Sequence, residues 1–236
     1  MNAIQLLPLH LPAEVHEGDD LAVLLASALA DASVDLLSGD VVVVTSKVVS
    51  KAEGRVVAWD GTPAHKEALV LAEARRVLRR RGALLITETR HGFVNANAGV
   101  DLSNTAAHTA VLLPIDPDRS ARALRAGLRH RHGVDVAVVI TDTFGRAWRQ
   151  GVTDVAIGAA GLRPVLDLRG TVDATGRRLE ATVVAIADEI AGAANLVLHK
   201  AAGTPFAILR GGSPDWHGTG SVRRDLVRDP DEDLFR

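Results

Sequence analysis

Two mainly apolar runs constrain the fold of this 236-residue chain more than any other feature. Residues 41–44 are four consecutive valines, and residues 134–140 read VDVAVVI. Because successive side chains of a strand point to opposite faces, a run without polar alternation indicates a strand that is buried on both faces. The sequence therefore predicts a sheet that other elements cover on both sides.

Segments with apolar residues at helical spacing separate these runs. We predict helices over residues 17–32, 66–81, 118–128 and 183–194. Asp19 or Asp20 is the expected N-cap of the first helix, Gly82 the residue after the second, and Asp118 the cap of the third. Strands and helices thus alternate along the chain.

The remaining segments are predicted as strands, turns and loops. Strands are expected over 82–89, 134–143 and 205–211, a loop over 91–104, a hairpin turn over 173–180 and a charged surface tail over 223–236. The phosphate-binding patterns GxGxxG and GxxxxGK[ST] are missing, which argues against Rossmann and P-loop folds. We predict an α+β fold of mixed sheets with flanking helices, as one domain over residues 1–236 or as two closely packed subdomains.

Composition limits the functional classes. A formal net charge of −2 and 47% hydrophobic residues describe an ordinary globular protein, with no electrostatic case for a nucleic-acid or membrane partner. With no cysteine, the chain has no disulfide, thiolate metal site or cysteine nucleophile. The N-terminus lacks the pattern of a secretory signal and no segment is long enough to span a membrane, so we expect a cytoplasmic protein.

Two acidic positions are candidate metal ligands. Asp142 and Thr143 close the predicted strand 134–143, at the sheet edge where α/β proteins commonly bind ligands. Asp101 lies in the polar loop 91–104. Carboxylates from distant segments can share a hard cation such as Mg²⁺. The alternative is structural: Asp142 and Thr143 cap a turn, and Asp101 forms an Asx-turn.

Lysines and hydroxyls follow the valine run and precede the last strand. The stretch TSKVVSK contains Ser46, Lys47, Ser50 and Lys51, and Lys200 stands near Gly203. Ammonium and hydroxyl groups suit anionic oxygens, although a solvated strand end is an equal alternative. Together with the acids, this pattern is typical of a nucleoside triphosphate site without a P-loop. The histidines, and Asp188 with Glu189, are interpreted as structural or solvated.

Several long blocks, in order, resemble the coenzyme F420:L-glutamate ligase family. They are GDVVVVTSKVVSKAEGR, VNANAGVDLSN, ITDTFGRAWRQGVTDVAIGAAG, VAIADEIAGAANLV and PFAILRG, together with EGDDLA and DLFR near the two ends. The resemblance implies a GTP- and divalent-metal-dependent ligase. It would join L-glutamate to the terminal carboxylate of a deazaflavin precursor, F420-0 or its dehydro form, through an acyl phosphate, releasing GDP and phosphate and giving a γ-linked glutamyl tail.

The resemblance also implies site residues. The metal, Mg²⁺ or Mn²⁺, would bind Asp101, Asp142 and Thr143, and K⁺ is a further candidate ion. GTP would contact Leu11, Pro12, Ala13, Glu14, Ser46, Lys51, Asn104, Lys200 and Gly203. Charge alone suggests that Arg146 and Arg149 meet phosphates or acidic substrates. Catalytic residues in the strict sense are not assigned.

The resemblance further implies a homodimer with active sites near its interface. Some bacterial relatives carry a C-terminal flavin reductase domain; we expect this chain, which ends without one, to be either a single-domain enzyme or a fragment. Two alternative functions remain at this stage. The same carboxylates could serve a metal-dependent phosphohydrolase, or the chain could be a non-catalytic deazaflavin-binding module.

Overall fold

The structure is a computed structural model that describes residues 3–103, 107–198 and 203–234. Its helices are α1 (Leu21–Asp31), α2 (Ser46–Ala52), α3 (Pro63–Glu73), α4 (Pro117–His132), α5 (Ile186–Ala194) and α6 (Val222–Asp225). Its strands are β1 (Gln5–Leu9), β2 (Val41–Thr45), β3 (Val56–Ala58), β4 (Ala74–Arg81), β5 (Leu84–Thr89), β6 (Val94–Ala96), β7 (Thr109–Val111), β8 (Ala137–Arg146), β9 (Arg149–Ala160), β10 (Leu166–Asp167), β11 (Val183–Val184) and β12 (Phe206–Arg210).

The valine run forms the middle of a five-stranded sheet with the order β1-β12-β2-β8-β9. β2 and β8 are parallel, and the other neighbours in this sheet are antiparallel. Val41 to Val44 have no exposed surface, which confirms the burial that the sequence predicted. β2 and β8 are parallel, and the carboxyl end of β2 lies beside the middle of β8, with Thr45 opposite Thr141.

Three smaller sheets accompany the central one: β4-β5-β6, β3-β7 and β10-β11. A second, smaller apolar cluster lies apart from the main core and contains Val70, Leu85, Ala98, Val100, Ala110 and Leu112. Several mixed sheets with separate helices confirm the predicted α+β class. The division into one domain or two subdomains stays a prediction. No helix in the described part of the chain is long and apolar enough to cross a membrane.

The helix predicted over 66–81 is wrong in its second half. α3 begins after Thr62, whose hydroxyl accepts from His65 N, and it ends at Glu73. Residues 74–81 form β4, which pairs with β5 through a tight turn at Gly82, where φ is +58°. Arg76 pairs with the buried Glu88 at 2.7 Å. Pairing with β5 outweighs the helical propensity of the arginine run.

The strand predicted to close at Asp142-Thr143 continues. β8 runs on to Arg146 and pairs with β9 along its whole length. The polar stretch after β2 is α2 rather than a break, and the segment predicted as a loop contains β6 and a 3₁₀ turn. In that turn Asn97 and Ala98 adopt positive φ, as expected for the segment.

Two other helix starts differ from the sequence-based prediction. The N-cap of α4 is Asp116, whose carboxylate accepts from Arg119 N, whereas Asp118 is buried inside the first turn. The last predicted helix begins at Ile186, because Val183 belongs to β11. α1 begins as expected, with Asp20 as N-cap.

Candidate functional site

A cavity of about 220 Å³ opens at the carboxyl end of β2, beside Thr141 to Thr143 in the middle of β8. Five parts of the chain line it: the segment after β1, the end of β2 with α2, the region around residues 99–113, the β8–β9 hairpin, and residues that follow α5 or precede β12. The lining residues are Leu11, Ala13, Glu14, Val15, Thr45, Ser46, Lys47, Val48, Ser50, Lys51, Gly99, Asp101, Val111, Leu112, Leu113, Thr141, Asp142, Thr143, Asp154, Asn195, Leu198, Gly203, Thr204 and Pro205.

Most residues singled out from the sequence meet in this cavity. The predicted metal ligands Asp101, Asp142 and Thr143 all line it. So do six of the predicted GTP contacts: Leu11, Ala13, Glu14, Ser46, Lys51 and Gly203. Pro12 is exposed and does not line the cavity. Asn104 and Lys200 lie outside the described residues.

One wall of the cavity comes from the β8–β9 hairpin. Thr143 stands opposite Asp154 in the ladder, and its hydroxyl donates to Asp154 Oδ1 at 2.7 Å. The hydroxyl of Thr141 contacts the other oxygen of Asp154 at 3.3 Å. Antiparallel pairing thus groups an acid and two hydroxyls beside Asp142.

The opposite wall comes from α2. Its first residue, Ser46, donates to Asp142 Oδ1 at 2.8 Å. Lys47 forms an ion pair with Asp101 at 2.8 Å, and its ammonium also donates to the carbonyl of Ser103 at 2.6 Å. Since α2 starts directly after β2, the end of the buried strand fixes where these side chains begin.

A third contact joins α2 to the N-terminal segment. Lys51 pairs with Glu14 at 3.1 Å, and the lysine is the less exposed of the two. This pair lies within the lining of the same cavity. Both lysines of α2 are therefore held by carboxylates at the cavity wall, where they present positive charge to a ligand.

The two candidate ligand carboxyls differ in their electrostatics. Burial, together with the negative charges of Asp154 and Asp101, raises the pKa of Asp142 to about 6, against the lowering effect of hydrogen bonds from Ser46 and the Thr143 N–H. For Asp101, partial burial opposes ionisation, but hydrogen bonds from Lys47 and Ser103 prevail and hold its pKa below the ordinary value. Asp142 therefore lacks the positive neighbour that Asp101 has in Lys47.

The donor set of the cavity suits a divalent cation. Four carboxylates, Glu14, Asp101, Asp142 and Asp154, face only two lysines among the described lining residues. In the described part of the chain, no three acidic, histidine or cysteine side chains are arranged as a complete metal site. Mg²⁺ is commonly held by one or two carboxylates with waters and substrate phosphates, so Asp101, Asp142 and Thr143 fit such an ion.

Several polar residues outside the cavity have other roles. Arg146 and Arg149 are exposed near the hairpin tip and do not line the cavity. Asp188, interpreted from the sequence as solvated, accepts the backbone N–H of Ala156 at 2.9 Å and is partly buried. His91 stacks on Phe93, a structural role as expected.

Sequence reasoning missed Asp154 and did not include Lys47 among the site residues. Lys47 stands beside Ser46, but spacing alone does not say which of the two lysines of α2 faces an acid. Asp154 is eleven residues from Thr143, and only recognition of the hairpin turn places it opposite that threonine. Residues 152–157 read VTDVAI, which does not alternate regularly, so the sequence offered no clear strand signal at Asp154.

Comparisons with known proteins identify the family of this chain. A family model described as F420-0:Gamma-glutamyl ligase matches residues 10–211. A protein of Methanopyrus kandleri named coenzyme F420:L-glutamate ligase is 43% identical over 97% of this chain and 96% of its own length. Proteins of the same name from Methanothermobacter thermautotrophicus and Archaeoglobus fulgidus are 41% and 40% identical, each over 94% of this chain and over 94% and 92% of their own lengths. The chain belongs to the F420-0:gamma-glutamyl ligase family.

Proposed function

We propose that this protein is a coenzyme F420:L-glutamate ligase that uses GTP and a divalent metal ion. Its substrates would be L-glutamate and the deazaflavin precursor, F420-0 or its dehydro form, and its products a γ-linked glutamyl tail, GDP and phosphate. The observation that carries the proposal is one cavity in which two ligand-type carboxylates face two lysines. The names of the relatives supply the acceptor and the amino acid.

The proposed reaction has two steps. An oxygen of the precursor carboxylate attacks the γ-phosphorus of GTP, a P–O bond to GDP breaks, and an acyl phosphate forms. The amine of glutamate then attacks the acyl carbon, the C–N bond forms, phosphate leaves with the bonding electron pair, and the amine loses a proton. Phosphoryl transfer of this kind depends mainly on positioning and on stabilisation of the phosphate oxygens.

The two walls of the cavity divide this work. On the α2 wall, Lys47 pairs with Asp101 and Lys51 pairs with Glu14. Phosphate oxygens can replace these carboxylates as partners of the two ammonium groups. On the hairpin wall, Asp142 and Thr143, with Asp101 across the cavity, would hold Mg²⁺ or Mn²⁺. When bound, such an ion offsets negative charge on the phosphate oxygens and the carboxylates.

Apolar residues shape the rest of the cavity. Val111, Leu112, Leu113 and Leu198 line it beside the polar groups. An acyl phosphate is hydrolysed by water, so a partly apolar wall favours attack by the glutamate amine instead. These residues are our candidates for contacts to the apolar surface of the ligands.

Further parts of the proposal rest on the family. A homodimer, a cytoplasmic location and a contribution of K⁺ are expected for this chain. Light scattering of the purified protein would test the dimer, with a mass of about twice 24.9 kDa as the expected result. A mass of one chain at all concentrations would contradict it.

Mass spectrometry of the deazaflavin product tests the central proposal. Purified wild-type protein and Asp142→Ala are each incubated with precursor, L-glutamate, GTP and Mn²⁺. The incubation is repeated with K⁺ in place of Mn²⁺ and with ATP in place of GTP. We expect one or more added glutamyl units. For Asp142→Ala we expect turnover to fall by about 100-fold or more, since loss of a direct ligand exceeds the 10–100-fold effect of outer-shell partners.

Two outcomes would contradict the proposal. GTP hydrolysis without glutamyl addition would favour a phosphohydrolase. Deazaflavin binding without turnover, unchanged by Asp142→Ala, would favour a binding module. Circular dichroism of the variant shows whether a loss of turnover comes from the site or from unfolding.

A further inference from the structure

Asp154 is a buried acid in the cavity that sequence reasoning did not identify. It lies in β9, is 5% exposed, and lines the cavity beside Asp142 and Thr143. In the β8–β9 ladder it stands opposite Thr143. An acid in this place needs hydrogen-bond donors, because burial of a bare carboxylate is costly.

Two threonine hydroxyls supply the donors. Thr143 Oγ1 donates to Asp154 Oδ1 at 2.7 Å, an ordinary length for a hydroxyl donor, and Thr141 Oγ1 contacts Oδ2 at a longer 3.3 Å. An ionised carboxylate can only accept, so the proton of the Thr143 hydroxyl points to Asp154. The lone pairs of Thr143 Oγ1 are then left for another partner.

The direction of that hydroxyl decides what Thr143 can bind. A threonine whose proton faced the cavity would repel a cation, whereas one whose oxygen faces it can be a ligand. Threonine has few χ1 rotamers, so a neighbour that accepts its hydroxyl hydrogen bond fixes the orientation of both the side chain and the oxygen lone pairs. Partners of this kind commonly orient metal ligands in proteins.

We propose that Asp154 is a positioning residue that holds the Thr143 hydroxyl with its oxygen toward a divalent cation. This inference rests on the metal site of the proposed function, Asp101, Asp142 and Thr143. Asp154 acts through Thr143 and is not itself a ligand. The alternative is a purely structural contact that ties the two strands of the hairpin together.

The test measures Mn²⁺ binding by isothermal titration calorimetry, without nucleotide or precursor. The proteins are wild type, Asp154→Asn, Thr143→Val and the double variant. We expect Asp154→Asn to weaken Mn²⁺ binding by about 10–100-fold, as for other outer-shell partners of metal ligands. In the Thr143→Val background, Asp154→Asn should cause no further loss, because its only route to the metal is gone.

Three further variants serve as controls. Thr141→Val removes the longer contact of Asp154 and should weaken Mn²⁺ binding less than Asp154→Asn does, because the shorter bond from Thr143 remains. Asp188→Asn changes a partly buried acid that bonds β9 outside the cavity, and should leave Mn²⁺ affinity unchanged. Thr143→Ser keeps the hydroxyl and should bind nearly as well as wild type. If Asp154→Asn is poorly folded by circular dichroism, Asp154→Glu, which keeps the charge but displaces the carboxylate from Thr143, replaces it and should also weaken Mn²⁺ binding.

The outcomes separate the inference from the function beneath it. No Mn²⁺ binding to the wild type would overturn the proposed metal site, and this inference with it. Normal binding to the wild type and equally to Asp154→Asn would overturn the positioning role alone. If Asp154→Asn weakens Mn²⁺ binding equally in the wild-type and Thr143→Val backgrounds, Asp154 acts on the metal independently of Thr143. That result would also overturn the positioning role.

Discussion

The two halves of the β8–β9 hairpin share one antiparallel ladder but differ in burial and in the chemistry of their side chains. The inner half, residues 137–143 and 154–160, is mostly buried. It contributes Thr141, Asp142, Thr143 and Asp154 to the cavity. The outer half, residues 144–153, is largely exposed: Trp148 is 83% exposed and Val152 63%. The same backbone pairing therefore supports a chemical site at one end and a solvated arm at the other.

Packing against helices accounts for the difference. α4 and α5 both contact β9, whose outer side is an edge of the central sheet. Two carboxylates satisfy N–H groups of this edge strand at 2.9 Å: Asp188 of α5 at Ala156 and Asp118 of α4 at Ala159. These contacts leave fewer unpaired N–H groups along the edge of the sheet. The chemical role of a residue in this hairpin therefore depends on which half of the hairpin it occupies.

Removal of Asp118 should have the largest effect on stability. Its carboxylate accepts the N–H groups of Ala159, Val222 and Arg223, so it ties the inner half to the C-terminal helix. Each buried donor left without an acceptor costs about 1–3 kcal/mol, and we expect Asp118→Ala to lower the free energy of unfolding by about 3 kcal/mol or more.

Urea unfolding measures this loss. Asp116→Ala, which removes the exposed N-cap of the same helix, is the control and should cost only about 1 kcal/mol. Equal losses for the two variants would mean that the buried contacts of Asp118 do not hold the inner half in place.

A methyl group should be tolerated in one half of the hairpin and not in the other. A Cβ at Gly158 would lie 2.5 Å from the Pro117 carbonyl oxygen of α4, whereas a Cβ at Gly145 meets nothing within 4 Å. Overpacking typically costs about 1–3 kcal/mol, so we expect Gly158→Ala to lose that much. Gly145→Ala is the matched control and should change thermal stability little.

Thermal unfolding of both alanine variants checks the contrast. Equal melting temperatures would show that α4 moves aside easily, and would remove the distinction between a tightly packed inner half and a free outer half.

The outer half should matter least. Arg146 is exposed and donates to the carbonyl of Gln150 within the same turn. We expect Arg146→Ala to change the free energy of unfolding by no more than about 0.5 kcal/mol and to leave the KM for GTP unchanged. Lys51→Met, on the α2 wall of the cavity, is the positive control and should raise that KM.

Steady-state kinetics with GTP as the varied substrate makes this measurement. A raised KM in Arg146→Ala would restore the hypothesis, made from charge alone, that the arginines of ITDTFGRAWRQG meet phosphates. The contrast between the two halves would then not extend to ligand binding.

Prediction from the sequence worked best where the signal was local. The valine run, the strand at 206–210 and the cap of α1 at Asp20 all follow from a few neighbouring residues. The residues drawn from the family resemblance also meet in one cavity, apart from Pro12 and the two outside the described residues. Those blocks of sequence are long enough to predict candidate site residues without knowledge of the fold.

Prediction failed where a distant segment decides the outcome. Residues 74–81 have helical spacing, yet they pair with β5 and satisfy the buried Glu88. Asp118 precedes a helix like a cap, yet it accepts N–H groups up to 105 residues away. In both cases a long-range partner outweighs a local preference of a few tenths to about one kcal/mol per residue.

The sequence by itself determined the central strands, the α+β class and the candidate ligands Asp101, Asp142 and Thr143, because burial on both faces and ordered blocks leave their mark in consecutive residues. Only the tertiary structure decided that β8 continues into a hairpin, that Asp154 faces Thr143 and that Arg146 stays outside the cavity. The physical reason is that strand pairing joins residues far apart in the chain, and neither composition nor periodicity specifies the partner.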